Sequence, residues 1–209
     1  MTVRKELNVD DAQNTRERIL LAAVKLFTAR GYADVAIHEI ASAAGIKAAS
    51  LYNHFSGKEA LFETIIDTVR DTYMLFYSRM DNGMEQAESF ADVLDCLFSE
   101  LDVIYDVLVY YGVSLICAEQ FRSEKARGVY HDVLLKVGAE YSARQFQCCV
   151  DKGWASPFDV EALALLFNNS VLIGTQLRTQ EELGREVPFK AKDMFQKLHT
   201  YMLACVKTR

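Results

Sequence analysis

Ile40-Ala-Ser-Ala-Ala-Gly-Ile-Lys-Ala-Ala-Ser-Leu-Tyr-Asn-His-Phe55 is the stretch that decides the fold. With Ile37 it sets apolar residues Ile37, Ile40, Ala41 and Ala44 at i, i+3, i+4 and i+7, which predicts a short helix over about 36–43. Gly45 permits a sharp turn, and a third helix over about 47–54 follows with Leu51 and Phe55 four residues apart on its inward face. Ile46 plugs the corner, and the small Ala41 lets the second helix cross its neighbour closely. Two short helices joined by a tight turn containing Gly make a helix-turn-helix unit.

Upstream, Asn14 with Glu17 three residues on reads as a capping box opening a first helix over about 14–30. Ile19, Ala23, Leu26 and Phe27 form its core face, Lys25 and Arg30 suit the negative end of its dipole, and Gly31 stops it. Downstream, Ser56 and Glu59 predict another capping box and a long helix through Leu61, Ile65, Ile66, Val69, Tyr73, Phe76 and Tyr77. The pattern breaks around 81–87. From Phe90 to Phe121 the spacing predicts two helices divided near Tyr110 to Gly112; further helices are expected over 123–150, 159–182 and 190–206, with Gly184 and Pro188 in the last loop. No hairpin signal occurs, so the expected class is all-α.

The 209 residues are 51% hydrophobic and 25% charged, with only 2 Pro and 10 Gly, which excludes disordered and collagen-like chains and favours long helices. The longest charge-free run, Ala162 to Leu177, contains Asn168, Asn169, Ser170, Thr175 and Gln176 and reads as a poor membrane span. The opening Met-Thr-Val-Arg-Lys-Glu-Leu lacks the apolar run of a secretory signal, so a cytoplasmic protein without a membrane partner is expected. Five cysteines (Cys96, Cys117, Cys148, Cys149, Cys205) show neither zinc nor redox-pair spacing, so no metal and no cofactor is expected. Net charge is −6, unevenly placed: residues 1–60 carry eight basic against seven acidic side chains, the remainder 15 against 22. The first sixty residues are therefore the part that tolerates a phosphate backbone.

Thr15-Arg-Glu-Arg-Ile-Leu-Leu-Ala-Ala-Val-Lys-Leu-Phe-Thr-Ala-Arg-Gly-Tyr, then the stretch from Ile40 through Leu51-Tyr-Asn-His-Phe55 to Lys58-Glu59, resembles the TetR/AcrR family of bacterial transcriptional regulators over about residues 13–64. The resemblance implies a homodimer on a palindromic operator in double-stranded DNA, each third helix lying in a major groove. With Leu51 and Phe55 inward, Lys47, Ala48, Ser50, Asn53 and His54 face outward; Tyr52, His54 and Lys58 resemble the family's phosphate contacts, with Thr15 adding one from the first helix. Relatives commonly carry a hydroxyl at the positions of Val35 and Ala36, so Asp34 is expected to cap the second helix instead. Ala48 stands where many relatives have a basic residue, which leaves a methyl contact to thymine or shape readout there.

The implied division is a DNA-binding domain over 1–56 and a ligand-binding and dimerisation domain over 57–209. Its implied effector cavity gives Tyr73, Tyr77, Phe98, Tyr105, Gln145, Asn168 and Asn169 as candidate lining for a small, largely apolar ligand that releases a repressor. Leu163, Phe167, Val171 and Gly174 form one stripe and Leu198, Tyr201 and Met202 another; at the chain end, with small residues between them, they are the expected dimer interface. The other class is an all-α interaction module or enzyme that keeps a helix-turn-helix without specific DNA binding. Against an enzyme, Cys148 and His131 sit in no nucleophile motif, and Gly57-Lys58 lacks the earlier glycine of a phosphate loop.

Overall fold

A computed structural model describes residues 14–99, 101 and 106–206; Tyr105 and the amino-terminal stretch lie outside the described residues. Every element among the described residues is helical: α1 (Thr15–Arg30), α2 (Ile37–Ala43), α3 (Ala48–Leu51), α4 (Lys58–Met84), α5 (Phe90–Ser99), α6 (Val107–Glu119), α7 (Glu124–Val129), a π-helical segment (Tyr130–Val137), α8 (Gly138–Asp151), α9 (Val160–Glu182) and α10 (Ala191–Cys205).

The Asn14 side chain accepts from the Glu17 N–H at 2.9 Å and starts α1. The start of α2 is held differently from the expectation: the Asp34 side chain caps nothing, and Glu39 Oε2 accepts the Ala36 N–H at 2.8 Å. Arg30 clamps this carboxylate, with Nη1 2.7 Å from Glu39 Oε1 and Nη2 donating to the Asp34 carbonyl. Arg30 as hydrogen-bond donor, then the Ala36 N–H, holds the Glu39 carboxyl below its ordinary range. The sign follows: fastening is complete at neutral pH and lost as pH falls through that lowered titration. The expected result is a drop in hydrogen-exchange protection at the Ala36 amide on acidification, absent in Glu39→Gln; unchanged protection would refute the clamp.

At the opening of α4 the helix-starting carbonyl is that of Gly57, accepting from Leu61 N–H at 3.3 Å, rather than that of Ser56. The expected break at Tyr110 to Gly112 is absent. Asp106 caps α6 instead, its carboxylate accepting from Leu108 N–H at 2.9 Å and Val109 N–H at 3.3 Å. Gly112 serves a close approach: a Cβ there would stand 2.5 Å from Val69 Cγ2 on α4. The expected 123–150 helix is continuous but contains the π-helical turn. There Asn168 on α9 donates its side-chain amide to the Leu134 carbonyl at 3.0 Å and the Leu135 carbonyl at 3.4 Å, satisfying acceptors that the wider helix turns toward α9.

The buried side chains form two clusters. The first joins α1 to α3, α4 as far as Tyr73, α6, α7 and the start of the π-helical segment. The second begins at Phe76 and joins α5, α8, α9 and α10. The core therefore divides across the middle of α4, and α6, buried on nearly every face, lies between α1, α4 and α9. By length and composition α9 is apolar enough to cross a membrane, but it packs on α6, α8 and α10 and buries Asn168, Thr175 and Thr179.

Candidate nucleic-acid interface

Gly45, at φ +69°, takes the left-handed conformation that turns α2 into α3, and the Ile46 N–H closes the corner on the Ala41 carbonyl at 2.9 Å. Regular α3 is shorter than the sequence predicted. It ends at Leu51, and residues 52–54 continue as turns, with His54 and Phe55 N–H both bonded to the Leu51 carbonyl. Leu51 and Phe55 are buried against the first cluster, so they orient everything around them outward. Lys47, Ala49, Asn53 and His54 are exposed, Tyr52 is 53% exposed, and Ala48 and Ser50 are half-buried. Thr15 opens α1, half-buried.

Two features were not foreseen from the sequence. Ala49, rather than Ala48, is the more exposed of the two small residues on α3. Arg16, on the first turn of α1, lies with its guanidinium 4.9 Å from the Phe55 ring centroid and so brings a positive charge to the end of the turn after α3. The signal for Arg16 was its place in the amino-terminal turn of a helix crossing the recognition unit. A third residue departs from its expected role. The Lys58 ammonium donates to the Ala33 and Val35 carbonyls at 3.0 and 2.9 Å and sits 4.5 Å over the Tyr32 ring, pinning the α1–α2 connection.

Residues 19–65 match the model of the family described as "Bacterial regulatory proteins, tetR family". The amino-terminal domain of this chain is a tetR-family domain. The chain is 30% identical over 100 residues to the HTH-type transcriptional regulator TtgR of Pseudomonas putida, covering 48% of this chain and 45% of that protein. It is 23% identical over 184 residues to the HTH-type transcriptional regulator UidR of Escherichia coli, covering 86% and 89%. The chain spans about half the length of the first curated relatives that it matches. In fold it resembles the ketosteroid transcriptional regulator KstR2 of Mycobacterium tuberculosis, with TM-score 0.69, 17% identity, and 95% and 97% of the two chains covered. The all-α, two-domain architecture of tetR-family proteins is thus that of this chain.

Beyond the tetR-family domain, the expected lining residues separate. Tyr73 is buried and its hydroxyl has no hydrogen-bond partner among the described residues; burial pushes it well above the ordinary tyrosine range, as it does for Tyr77. Gly138 leaves room for the Asn168 carboxamide oxygen and the Tyr77 hydroxyl, both of which a Cβ there would strike. Phe98 packs edge-on to Phe167 and His199, and Gln145 is half-buried. Asn169 does not join them: it is exposed and donates to the Leu165 carbonyl of its own helix. The cysteines are free thiols, and burial raises Cys117 and Cys149 to about 11, far from the reactive thiolate.

The expected interface stripe is corrected. Leu163, Phe167, Val171, Gly174 and Met202 are buried within the protomer, because that face of α9 meets α8 and α10; a Cβ at Gly174 would run into the Phe195 ring of α10. Leu198 is half-buried, and Tyr201 alone of the expected set is exposed. The free face of α9 carries Leu165, Leu166, Asn169, Ile173 and Gln176.

Proposed function

We propose that this chain is a ligand-responsive transcriptional repressor that binds a palindromic operator as a homodimer in the cytoplasm, with residues 1–56 reading DNA and residues 57–209 holding effector and partner. The observation that carries the reading is the α2–turn–α3 unit, in which two buried anchors, Leu51 and Phe55, hold Lys47, Ala49, Ser50, Tyr52, Asn53 and His54 around one outward surface. A helix of this size fits the major groove, Ala48 and Ala49 suit thymine methyls, and Tyr52, His54, Thr15 and Arg16 suit phosphates.

A second copy covers the free face of α9 together with Tyr201 on α10. Leu165, Leu166 and Ile173 there are 52%, 40% and 47% exposed and lie in the chain's longest charge-free run. Asn169 and Gln176 on the same face suit a protein partner better than lipid. The effector enters where the two clusters meet, beside Tyr73, Tyr77 and Asn168, where polar atoms meet in apolar surroundings, with Phe98 on α5 and Gln145 on α8 as further candidate lining. Because α4 runs from the α1–α2 connection to these tyrosines, a tilt of α4 changes the spacing of the two reading surfaces. Operator must then weaken effector binding by the same factor.

Selection of duplexes from a random pool, at stated near-physiological salt, tests the reading. The parent is expected to recover a palindrome, and Lys47→Ala with Tyr52→Ala to bind it about a hundredfold more weakly, two contacts at roughly 1–2 kcal/mol each. The salt slope should fall by about one phosphate. Equal enrichment by both proteins, or none by either, overturns the proposal.

A further inference from the structure

We propose that the cleft bounded by the α1–α2 connection, the first turns of α4 and the α6–α7 corner is a binding site for a small organic cation. The cleft holds about 600 Å³, lies at the carboxyl end of α6, and shares no lining residue with the second cluster. Its apolar wall is the pair Tyr32 and Phe62, whose ring centroids are 4.6 Å apart. Its charged lining is Glu59, Glu63, Glu119 and Asp34, with Arg122 and Lys125 among them.

Glu119 decides the sign of the ligand. It is only 9% exposed, and no basic group among the described residues lies within 4 Å of it. Among the described residues the one hydrogen bond to its carboxylate is a long one, from the Tyr32 N–H at 3.4 Å. A buried carboxylate without a counter-charge is costly, and a cation entering from solution removes that cost. The neighbouring cations do not serve. Lys125 is drawn to Asp67 at 2.7 Å and stands 3.9 Å from Glu63, while Arg122 reaches the Ala118 carbonyl at 3.5 Å. The Lys58 ammonium is committed to the Ala33 and Val35 carbonyls and to one face of the Tyr32 ring.

The Tyr32 hydroxyl reports the same field: burial raises its titration first, then the charges of Glu59, Glu119 and Glu63 in that order. An organic cation fits better than a metal ion. No three acidic, histidine or cysteine side chains among the described residues converge closely enough to ligate one, whereas an ammonium bearing an apolar group matches carboxylate and aromatic walls together. The occupant touches the α1–α2 connection, α4 and the α6–α7 corner at once, and so ties the reading helices to α6.

Calorimetric titration of the full chain without DNA tests the site, with 2-phenylethylammonium chloride as probe and 2-phenylethanol as its neutral counterpart. The ammonium is expected to bind at least about tenfold more tightly than the alcohol. Glu119→Gln should weaken the ammonium by at least about tenfold and leave the alcohol unchanged. Glu59→Gln, at an exposed position that leaves folding intact, should weaken the ammonium about threefold and keeps the test open if the buried variant does not fold. Equal affinity for the two probes, no binding of the ammonium, or full affinity in Glu59→Gln and any folded Glu119→Gln overturns the proposal. Because no DNA is present, the outcome is independent of operator recognition.

Discussion

Phe27→Ala is expected to lower the unfolding free energy by about 3–5 kcal/mol, a large share of the roughly 5–15 kcal/mol that holds a domain together. Phe27 is buried at the centre of the first cluster, with ring centroids 5.3 Å from Tyr32 and 6.5 Å from Phe62 in edge-on contacts. The same cluster holds the small Ala22, Ala23 and Ala41, which cannot swell to fill a hole, so the lost transfer energy and the cavity add. Removing it also loosens Tyr32, and with it the ring on which the Lys58 ammonium rests. Urea titration followed by helical signal reads the effect as a fall in midpoint with an unchanged slope; a loss below about 1 kcal/mol would contradict this account of the core.

Why that core was readable from the sequence, and other parts were not, is a matter of range. The Asn14 cap, the Gly45 turn and the Leu51–Phe55 pair depend on residues within about a turn of one another, so spacing alone determines them. Where a helix is apolar on several sides, spacing loses its phase. α9 has no charge from Ala162 to Leu177, so the pattern did not say which stripe faces in; that is decided by α8 and α10, distant in sequence. Gly112 was read as a helix stop, whereas its missing side chain admits Val69 of α4, and Asp106, the residue that does mark the start of α6, was passed over. The family resemblance places Lys58 at a phosphate. Its actual partners, the Ala33 and Val35 carbonyls, are over twenty residues upstream and carry no sequence signature.

Leu166→Glu with Ile173→Glu is expected to turn the proposed dimer into a monomer, raising its dissociation constant by about a thousandfold, since the four carboxylates that two copies bring would each be buried unpaired at roughly 1 kcal/mol or more. Leu166 and Ile173 are 40% and 47% exposed on the free face of α9, so the protomer loses little internal packing and its thermal midpoint should hold within several degrees. Leu163→Glu is the contrasting control. Leu163 lies on the buried face that joins the second cluster, so that change should unfold the cluster rather than separate subunits. Sedimentation velocity distinguishes the outcomes, and a double variant that stays dimeric would place the partner on another surface. Operator affinity should fall with the dimer, because two linked half-sites act as one intramolecular event.

The helix α6 bears on how freely such a protein exchanges its parts. Thr28 on α1 donates to the Tyr111 carbonyl at 3.0 Å, while Thr179 on α9 accepts from Ser114 at 2.8 Å and reaches the Tyr110 carbonyl at 2.9 Å. One short helix is thus bolted to both α1 and α9 at adjacent residues. A chimaera that transplants only the first 56 residues onto another scaffold would arrive with the α6-facing side of α1 bare and its Thr28 hydroxyl facing a stranger. The heritable module is therefore discontinuous: a reading head and, fifty residues further along the chain, the strut it grew up against.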